Sequence, residues 1–162
     1  MIGLDRLFSG RPAGLLAAAG SVGLLAAALL FQYGFGLPPC ELCIWQRWPH
    51  LAAAVAGAGL LVLPGALWVA MGAVGAATSG GIGVYHTGVE RGWWEGPATC
   101  AAATGDLSSL SAEELLNRIM AAPVTRCEDV AWEMLGLSMA SWNALASFAL
   151  AGVWLMALRQ RA

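Results

Sequence analysis

Four apolar stretches alternate with shorter polar segments along this chain. Residues 14–33, 66–86 and 137–158 each hold about 20 mostly apolar residues, the length of helix that crosses the hydrocarbon core of a bilayer. The Pro38-Pro39 pair breaks the chain after the first of these stretches. The pattern therefore predicts membrane-spanning helices over these three ranges.

The remaining stretch, residues 51–63, is too short to span alone, because as a helix it is about 20 Å long. We therefore expect its helix to begin near Glu41 and to continue through Pro49, where a kink is expected. Residues 42–63 then form the second of four spans. Together the spans predict an all-α fold, an integral membrane four-helix bundle with a single domain over residues 1–162.

The polar segment at residues 88–136 carries eight of the ten acidic residues. Within it, Ser111 and Glu114 have the spacing of a capping box, which predicts a short amphipathic helix that ends before Pro123. A helix of this kind lies on the membrane surface or packs on the protein's own loops. The sequence leaves both arrangements open.

Composition and charge indicate a membrane protein, because 59% of residues are hydrophobic and 11% are charged, against about 25% charged in soluble domains. The net charge of −2 argues against a nucleic-acid partner. Arg6, Arg11, Arg159 and Arg161 flank the first and last spans, so the positive-inside rule predicts that both termini are cytoplasmic. The first span is longer than a signal-peptide core, and we expect it to be retained.

All four cysteines fall on the predicted outer side of the membrane. Cys40 and Cys43 form a C-x-x-C at the start of the second span, whereas Cys100 and Cys127 lie in the polar segment. The four thiols suit two structural disulfides, a zinc site or a redox relay between two exchanging pairs. The wide separation of Cys100 and Cys127 argues against zinc, whose ligands usually come as close pairs.

The position of Cys43 favours the relay. A helix N-terminus stabilises a thiolate through its dipole and its unpaired backbone N–H groups. Arg47 lies one turn later on the same face and adds a positive charge. Arg47 alone would equally suit a snorkelling anchor, but its registry with Cys43 favours a role in stabilising the thiolate and the anion of a reduced carrier. His86 ends the third span, where an isolated histidine is usually interfacial, and it gains a role only if it meets Arg47 across the bundle.

Three segments resemble one known family. CELCIWQR is similar to the C-x-L-C-x-x-Q-R signature of the bacterial disulfide bond formation protein B family. YHTGVERGWWEGPATC resembles the family's approach to its third cysteine, and RCEDVAWEMLGLSMASWNAL resembles its segment from the fourth cysteine into the last helix. The resemblance covers residues 34–158.

The resemblance implies a disulfide relay in the bacterial inner membrane, with the cysteines facing the periplasm. Cys100–Cys127 would accept electrons from a periplasmic DsbA-like thiol oxidase, whose thiolate would attack Cys100. Cys127 would then exchange with Cys40–Cys43. The freed Cys43 would lie against a quinone from the membrane pool, either ubiquinone or menaquinone.

The resemblance also assigns supporting roles. Arg47 would hydrogen-bond the quinone and stabilise its anionic form, and His86 matches a family position near the quinone ring. Residues 111–122 would form the family's membrane-skimming loop helix. Two alternatives stay open: a non-catalytic scaffold with two structural disulfides, and a vitamin K epoxide reductase-like enzyme, in which we expect the reactive pair near the last span.

Overall fold

The computed structural model describes residues 10–97, 111–121 and 125–159. Four long helices and one short helix account for most of this part of the chain. The elements in chain order are α1 (Gly10–Leu29), a π-helical turn (Leu30–Gly34), α2 (Glu41–Val62), α3 (Ala66–Glu90), α4 (Ala112–Ala121), β1 (Glu133–Met134), β2 (Leu137–Ser138) and α5 (Met139–Arg159). The two strands pair antiparallel as a small hairpin before α5.

The four long helices contact one another in a ring. Helix α1 packs on α2 and α5, and α3 packs on the same two helices from the other side. Trp154, Leu60 and Val69 are fully buried between them, surrounded by alanines. Small residues thus let the helices approach closely, as in membrane helix packing.

Three helices in the described part are long and apolar enough to cross a membrane, namely Gly10–Gly34, Ala66–Glu90 and Met139–Arg159. Helix α2 is of similar length, with 22 residues, but its first turns are more polar. Its early start agrees with the sequence prediction, because α2 begins at Glu41 and continues through Pro49 to Val62. The helix therefore carries the C-x-x-C and Arg47 on its first turns.

Two helix ends differ from the sequence predictions. Helix α3 does not end at His86 but continues for one more turn to Glu90, where Glu90 accepts a hydrogen bond from Ser138. Helix α5 begins at Met139 rather than at residue 137, because Leu135 and Gly136 have positive φ and turn the chain into the hairpin. The capping box is confirmed, since the backbone N–H groups of Ser111 and Glu114 each donate to the other's side chain at 3.3 Å.

Candidate functional site

The start of α2 holds two neighbouring thiols. Cys40 and Cys43 are free cysteines with their Sγ atoms 2.9 Å apart, and Cys40 donates to Cys43. Cys40 is the N-cap of α2, and its sulfur accepts from the Cys43 backbone N–H at 3.3 Å. The hydrogen bond to Cys43, followed by burial, raises the pKa of the Cys40 thiol. Cys40 therefore keeps its proton, and negative charge on the pair belongs to Cys43 at the helix N-terminus.

A third cysteine packs against this pair. Cys127 is 1% exposed and lies in one buried cluster with Cys40, Leu42 and Val89, and Cys43 packs on that cluster. Cys127 is disulfide-bonded. Cys100, the fourth predicted redox cysteine, lies outside the residues that the structure describes. The fold thus brings Cys127 of one predicted cysteine pair against Cys40 of the other.

The side chain of Arg47 is hydrogen-bonded to a residue of the π-helical turn that follows α1. Its Nη1 donates to Gln32 Oε1 at 2.6 Å, and Gln32 belongs to the π-helical turn after α1. The positive charge of Arg47 acts on Cys43, and both residues line the same cavity. A fixed guanidinium facing a cavity differs from a snorkelling anchor, which extends to the interface.

His86 is buried rather than interfacial, with 3% of its surface exposed. Its Nε2 lies 3.5 Å from Cys40 Sγ and 3.9 Å from Glu90 Oε1. Its Nδ1 lies 3.0 Å from Gln46 Nε2, and the ring also hydrogen-bonds to the backbone of Cys127. His86 on α3 and Arg47 on the neighbouring helix α2 line one cavity.

This cavity has a volume of about 360 Å³. Its polar lining includes Cys40, Cys43, Arg47 and His86, together with Gln46, Glu90, Arg126, Asp129 and Asn143. Its apolar lining comes from α1, the π-helical turn and α5, and includes Leu24, Ala28, Phe31, Met139 and Trp142. An apolar cavity with a few convergent polar groups suits a flat, mostly apolar ring that carries polar oxygens.

Sequence reasoning assigned no role to four further polar residues, of which Gln46, His50 and Asn143 line the cavity and Ser79 lies next to them. Gln46, His50 and Ser79 are buried. Asn143 hydrogen-bonds to all three. Its Nδ2 lies 2.7 Å from Gln46 Oε1 and 3.2 Å from Ser79 Oγ, and its Oδ1 lies 3.1 Å from His50 Nε2. The available signal was their polarity, because polar side chains inside membrane spans usually mark a functional interior.

Comparisons with known proteins agree on one family. The sequence model described as disulfide bond formation protein DsbB matches residues 10–157. A disulfide bond formation protein B from Stutzerimonas stutzeri is 28% identical over 166 residues, which cover 96% of this chain and 99% of that protein. The protein of the same name from Xanthomonas campestris is 33% identical over 141 residues, which cover 80% of this chain and 77% of the relative. No solved structure matches the chain.

Proposed function

Because this chain belongs to the DsbB family of disulfide bond formation proteins, we propose that it is a membrane thiol:quinone oxidoreductase that reoxidises a periplasmic DsbA-like thiol oxidase. One observation carries the proposal: the disulfide-bonded Cys127 packs against the Cys40–Cys43 pair. That pair lines the same cavity as Arg47. Family membership sets aside the vitamin K epoxide reductase-like alternative.

The first exchange opens a disulfide between Cys100 and Cys127. A thiolate of the reduced partner attacks Cys100, a new sulfur–sulfur bond forms there, and Cys127 leaves as a thiolate. The pairing is supported by chemistry within the chain, since Cys127 is bonded whereas Cys40 and Cys43 carry free thiols.

The second exchange transfers the oxidising equivalent from the α2 pair. When Cys40 and Cys43 are joined as a disulfide, the Cys127 thiolate attacks Cys40, on which it packs. Cys43 is then the leaving thiolate. The helix N-terminus and the charge of Arg47 both stabilise this anion, so Cys43 is the favoured leaving group. The partner's second thiolate then attacks its own sulfur bonded to Cys100, which releases the oxidised partner and the Cys100 thiolate. Cys100 attacks Cys127, the Cys100–Cys127 disulfide re-forms, and Cys40 is freed as a thiol beside the Cys43 thiolate.

The residues around the cavity fit a quinone headgroup, either ubiquinone or menaquinone. Arg47 would offer a charged donor to a ring oxygen, Cys43 would offer the electron-rich sulfur, and His86 lines the same cavity. The apolar lining excludes water from the headgroup. A bound quinone supplies the capacity to accept two electrons and two protons, and the resulting quinol returns to the membrane pool.

The proposed location is the bacterial inner membrane, with both termini cytoplasmic and the cysteines facing the periplasm. Arg11 near the start of α1 donates to the Leu61 carbonyl at 2.7 Å, close to the end of α2. Cys40 lies at the opposite end of that helix, about 33 Å away at 1.5 Å per residue. That separation matches the thickness of a hydrocarbon core.

The deciding experiment is quinone reduction by purified protein, followed by ultraviolet absorbance with a reduced DsbA-like protein as electron donor. Cys43→Ser is expected to abolish quinone loss while still trapping the donor as a mixed disulfide at Cys100. Gly81→Ala is the matched control, because an added Cβ at Gly81 meets nothing within 4 Å. Quinone reduction at a near-normal rate in Cys43→Ser would contradict the assigned role.

The same assay separates the enzyme from a scaffold with two structural disulfides. A scaffold predicts no quinone loss from well-folded protein with any of several donors and quinones. It also predicts that no donor is trapped at Cys100 in the Cys43→Ser variant.

A further inference from the structure

A buried hydrogen-bond network joins α2, α3 and α5 behind the cysteine pair. It runs from Asn143 on α5 to Gln46 on α2 and then to His86 on α3, with Ser79 of α3 closing a side branch. Each of these hydrogen bonds has a direction, because some of the participating groups only accept. Those directions decide which nitrogen of His86 carries the proton.

The first fixed point is the Leu42 backbone carbonyl. Gln46 Nε2 lies 3.0 Å from that oxygen, and a carbonyl oxygen only accepts hydrogen bonds. The amide group of Gln46 must therefore face Leu42 with its NH₂. The same nitrogen lies 3.0 Å from His86 Nδ1, so its second hydrogen points at the imidazole ring.

A second fixed point gives the same orientation independently. Ser79 Oγ donates to the Gln46 backbone carbonyl at 3.0 Å, so its oxygen is left to accept from Asn143 Nδ2 at 3.2 Å. The Asn143 NH₂ also donates to Gln46 Oε1 at 2.7 Å. Gln46 therefore receives at its oxygen and donates from its nitrogen, in agreement with the Leu42 contact.

The consequence is a fixed tautomer of His86. Its Nδ1 accepts from Gln46, so the neutral ring carries its proton on Nε2. Nε2 lies 3.5 Å from Cys40 Sγ. The Nε2–H is shared between the Cys40 sulfur and the backbone of Cys127, to which the ring also hydrogen-bonds. The Cys40 sulfur thus faces this N–H and the Cys43 backbone N–H.

This arrangement excludes two other roles for the neutral ring. Cys40, Cys43 and His86 bring three possible metal-ligand atoms within 4.8 Å of one another, but a ligating histidine needs a lone pair at the metal. A general base toward Cys40 needs the same lone pair at Nε2. The network places a hydrogen there instead.

We propose that Gln46 and Asn143 are positioning residues that hold His86 as a hydrogen-bond donor to the sulfur of Cys40. The inference deepens the proposed function and rests on it for its chemical purpose. When the Cys40–Cys43 disulfide re-forms, Cys40 loses its proton and its sulfur bonds to the Cys43 sulfur. Two electrons and the proton pass to the quinone, together with one proton from solvent. The two donors stabilise the negative charge that develops on Cys40 before the bond closes.

The tautomer is measurable without donor protein or quinone. The chain has two histidines, so ¹⁵N-histidine labelling of the purified protein gives two rings, and His86→Gln assigns them. In the unaltered protein, His86 is expected to show a protonated Nε2 and an unprotonated Nδ1. A protonated Nδ1 would overturn the proposal.

Two variants test whether the network sets this tautomer. Asn143→Asp replaces the donor to Gln46 Oε1 by an acceptor, which opposes the orientation that the Leu42 carbonyl favours, so His86 should show a mixture of the two tautomers. Gln46→Leu adds no buried charge and should give a mixture of tautomers. Ser147→Ala is the control, because Ser147 contacts the other ring, His50, and the His86 signals should not change. An unaltered His86 tautomer in folded Gln46→Leu would overturn the positioning role.

A second readout follows the chemistry of the pair. In protein that also carries Cys100→Ser and Cys127→Ser, the Cys40–Cys43 couple is equilibrated with glutathione. Losing part of the donation to Cys40 in Gln46→Leu should shift the equilibrium constant about threefold toward the disulfide. An unchanged constant would overturn the role at Cys40. Absent quinone reduction alongside the expected tautomer would instead overturn the proposed function and leave the network intact.

Discussion

Cys40 and Cys43 lie three residues apart and yet have different environments. Cys40 is 5% exposed, and its pKa is raised by the hydrogen bond to Cys43 and by burial. A thiol with a raised pKa stays protonated, and so unreactive, until the pH exceeds that raised value. Between about pH 7 and pH 9, iodoacetamide is therefore expected to modify Cys43 well before Cys40 in the reduced protein.

Mass spectrometry of the two modified positions over time measures this difference. Both cysteines lie in one peptide, so fragmentation is needed to separate them. Protein unfolded in sodium dodecyl sulfate is the control, because there the two thiols should react at similar rates. Equal rates in the folded protein, or a faster Cys40, would contradict the asymmetry described for this pair.

The hydrogen bond between Arg47 and Gln32 leads to a second prediction. Gln32→Leu removes the acceptor at 2.6 Å and releases the guanidinium, so the KM for quinone should rise roughly fivefold for a loss of about 1 kcal/mol. Arg47→Ala should weaken quinone turnover further. Tyr33→Phe is the matched control, because Tyr33 lies in the same turn with 77% of its surface exposed. Arg47→Ala with unchanged rate and affinity would make this residue a membrane anchor only.

Sequence reasoning reached Cys43 and Arg47 because their relation is local. Residues four positions apart on a helix lie on the same face, whatever the rest of the fold is. Gln46 lies between them and was missed. Its partners His86 and Asn143 are 40 and 97 residues away along the chain, so its role depends on how α2 meets α3 and α5.

Helix α3 owes its close packing to particular glycines rather than to glycine content in general. A Cβ at Gly75 would lie 2.7 Å from the Pro49 carbonyl oxygen, whereas a Cβ at Gly81 would meet nothing within 4 Å. Backbone at Pro49 cannot move aside as a flexible side chain does. Gly75→Ala is therefore expected to destabilise the protein by about 1–3 kcal/mol, while Gly81→Ala should be neutral or stabilising by up to about 1 kcal/mol.

Thermal unfolding of the two variants in the same detergent tests the contrast. Both substitutions add one methyl group to the same helix, so helix propensity and composition cancel in the comparison. Equal midpoints for the two variants would contradict the close approach of α2 and α3 at Pro49. From the sequence alone Gly75 and Gly81 are equivalent glycines of one apolar span, because the distance to Pro49 depends on how α2 and α3 pack.

The ends of α3 and α5 mark the limit of hydropathy as a guide. Apolar character falls at His86, yet α3 continues to Glu90. There Glu90 accepts from Ser138 of β2, and Thr87 hydrogen-bonds with Ser141 near the start of α5. The turn at Leu135 also lacked a sequence signal, since leucine rarely adopts positive φ. Contacts between elements, which are absent from a local pattern, set both boundaries.

At the scale of the whole molecule, the arginines near the chain termini and the cysteine pair lie at opposite ends of the helices. Ala13 of α1, Leu60 of α2 and Ala157 of α5 share one buried cluster, so the end that carries Arg11 and Arg159 lies away from Cys40. The order of spans and cysteines was predictable because it follows directly from hydropathy and the C-x-x-C. The approach of Cys127 to Cys40 was implied only by the family resemblance, since hydropathy and spacing do not determine the fold of the segment between α3 and α5.

This separation makes the orientation in the membrane testable. Arginines at one end favour the cytoplasm, whereas eight of the ten acidic residues lie in residues 88–136, which we expect outside. Green fluorescent protein fused after Ala162 should therefore fluoresce, and alkaline phosphatase fused there should be inactive. Alkaline phosphatase inserted after Glu95 should be active, because that segment would face the periplasm. The reversed pattern would put the cysteines in the reducing cytoplasm, where a DsbA-like partner could not reach them and a stable Cys127 disulfide would not persist.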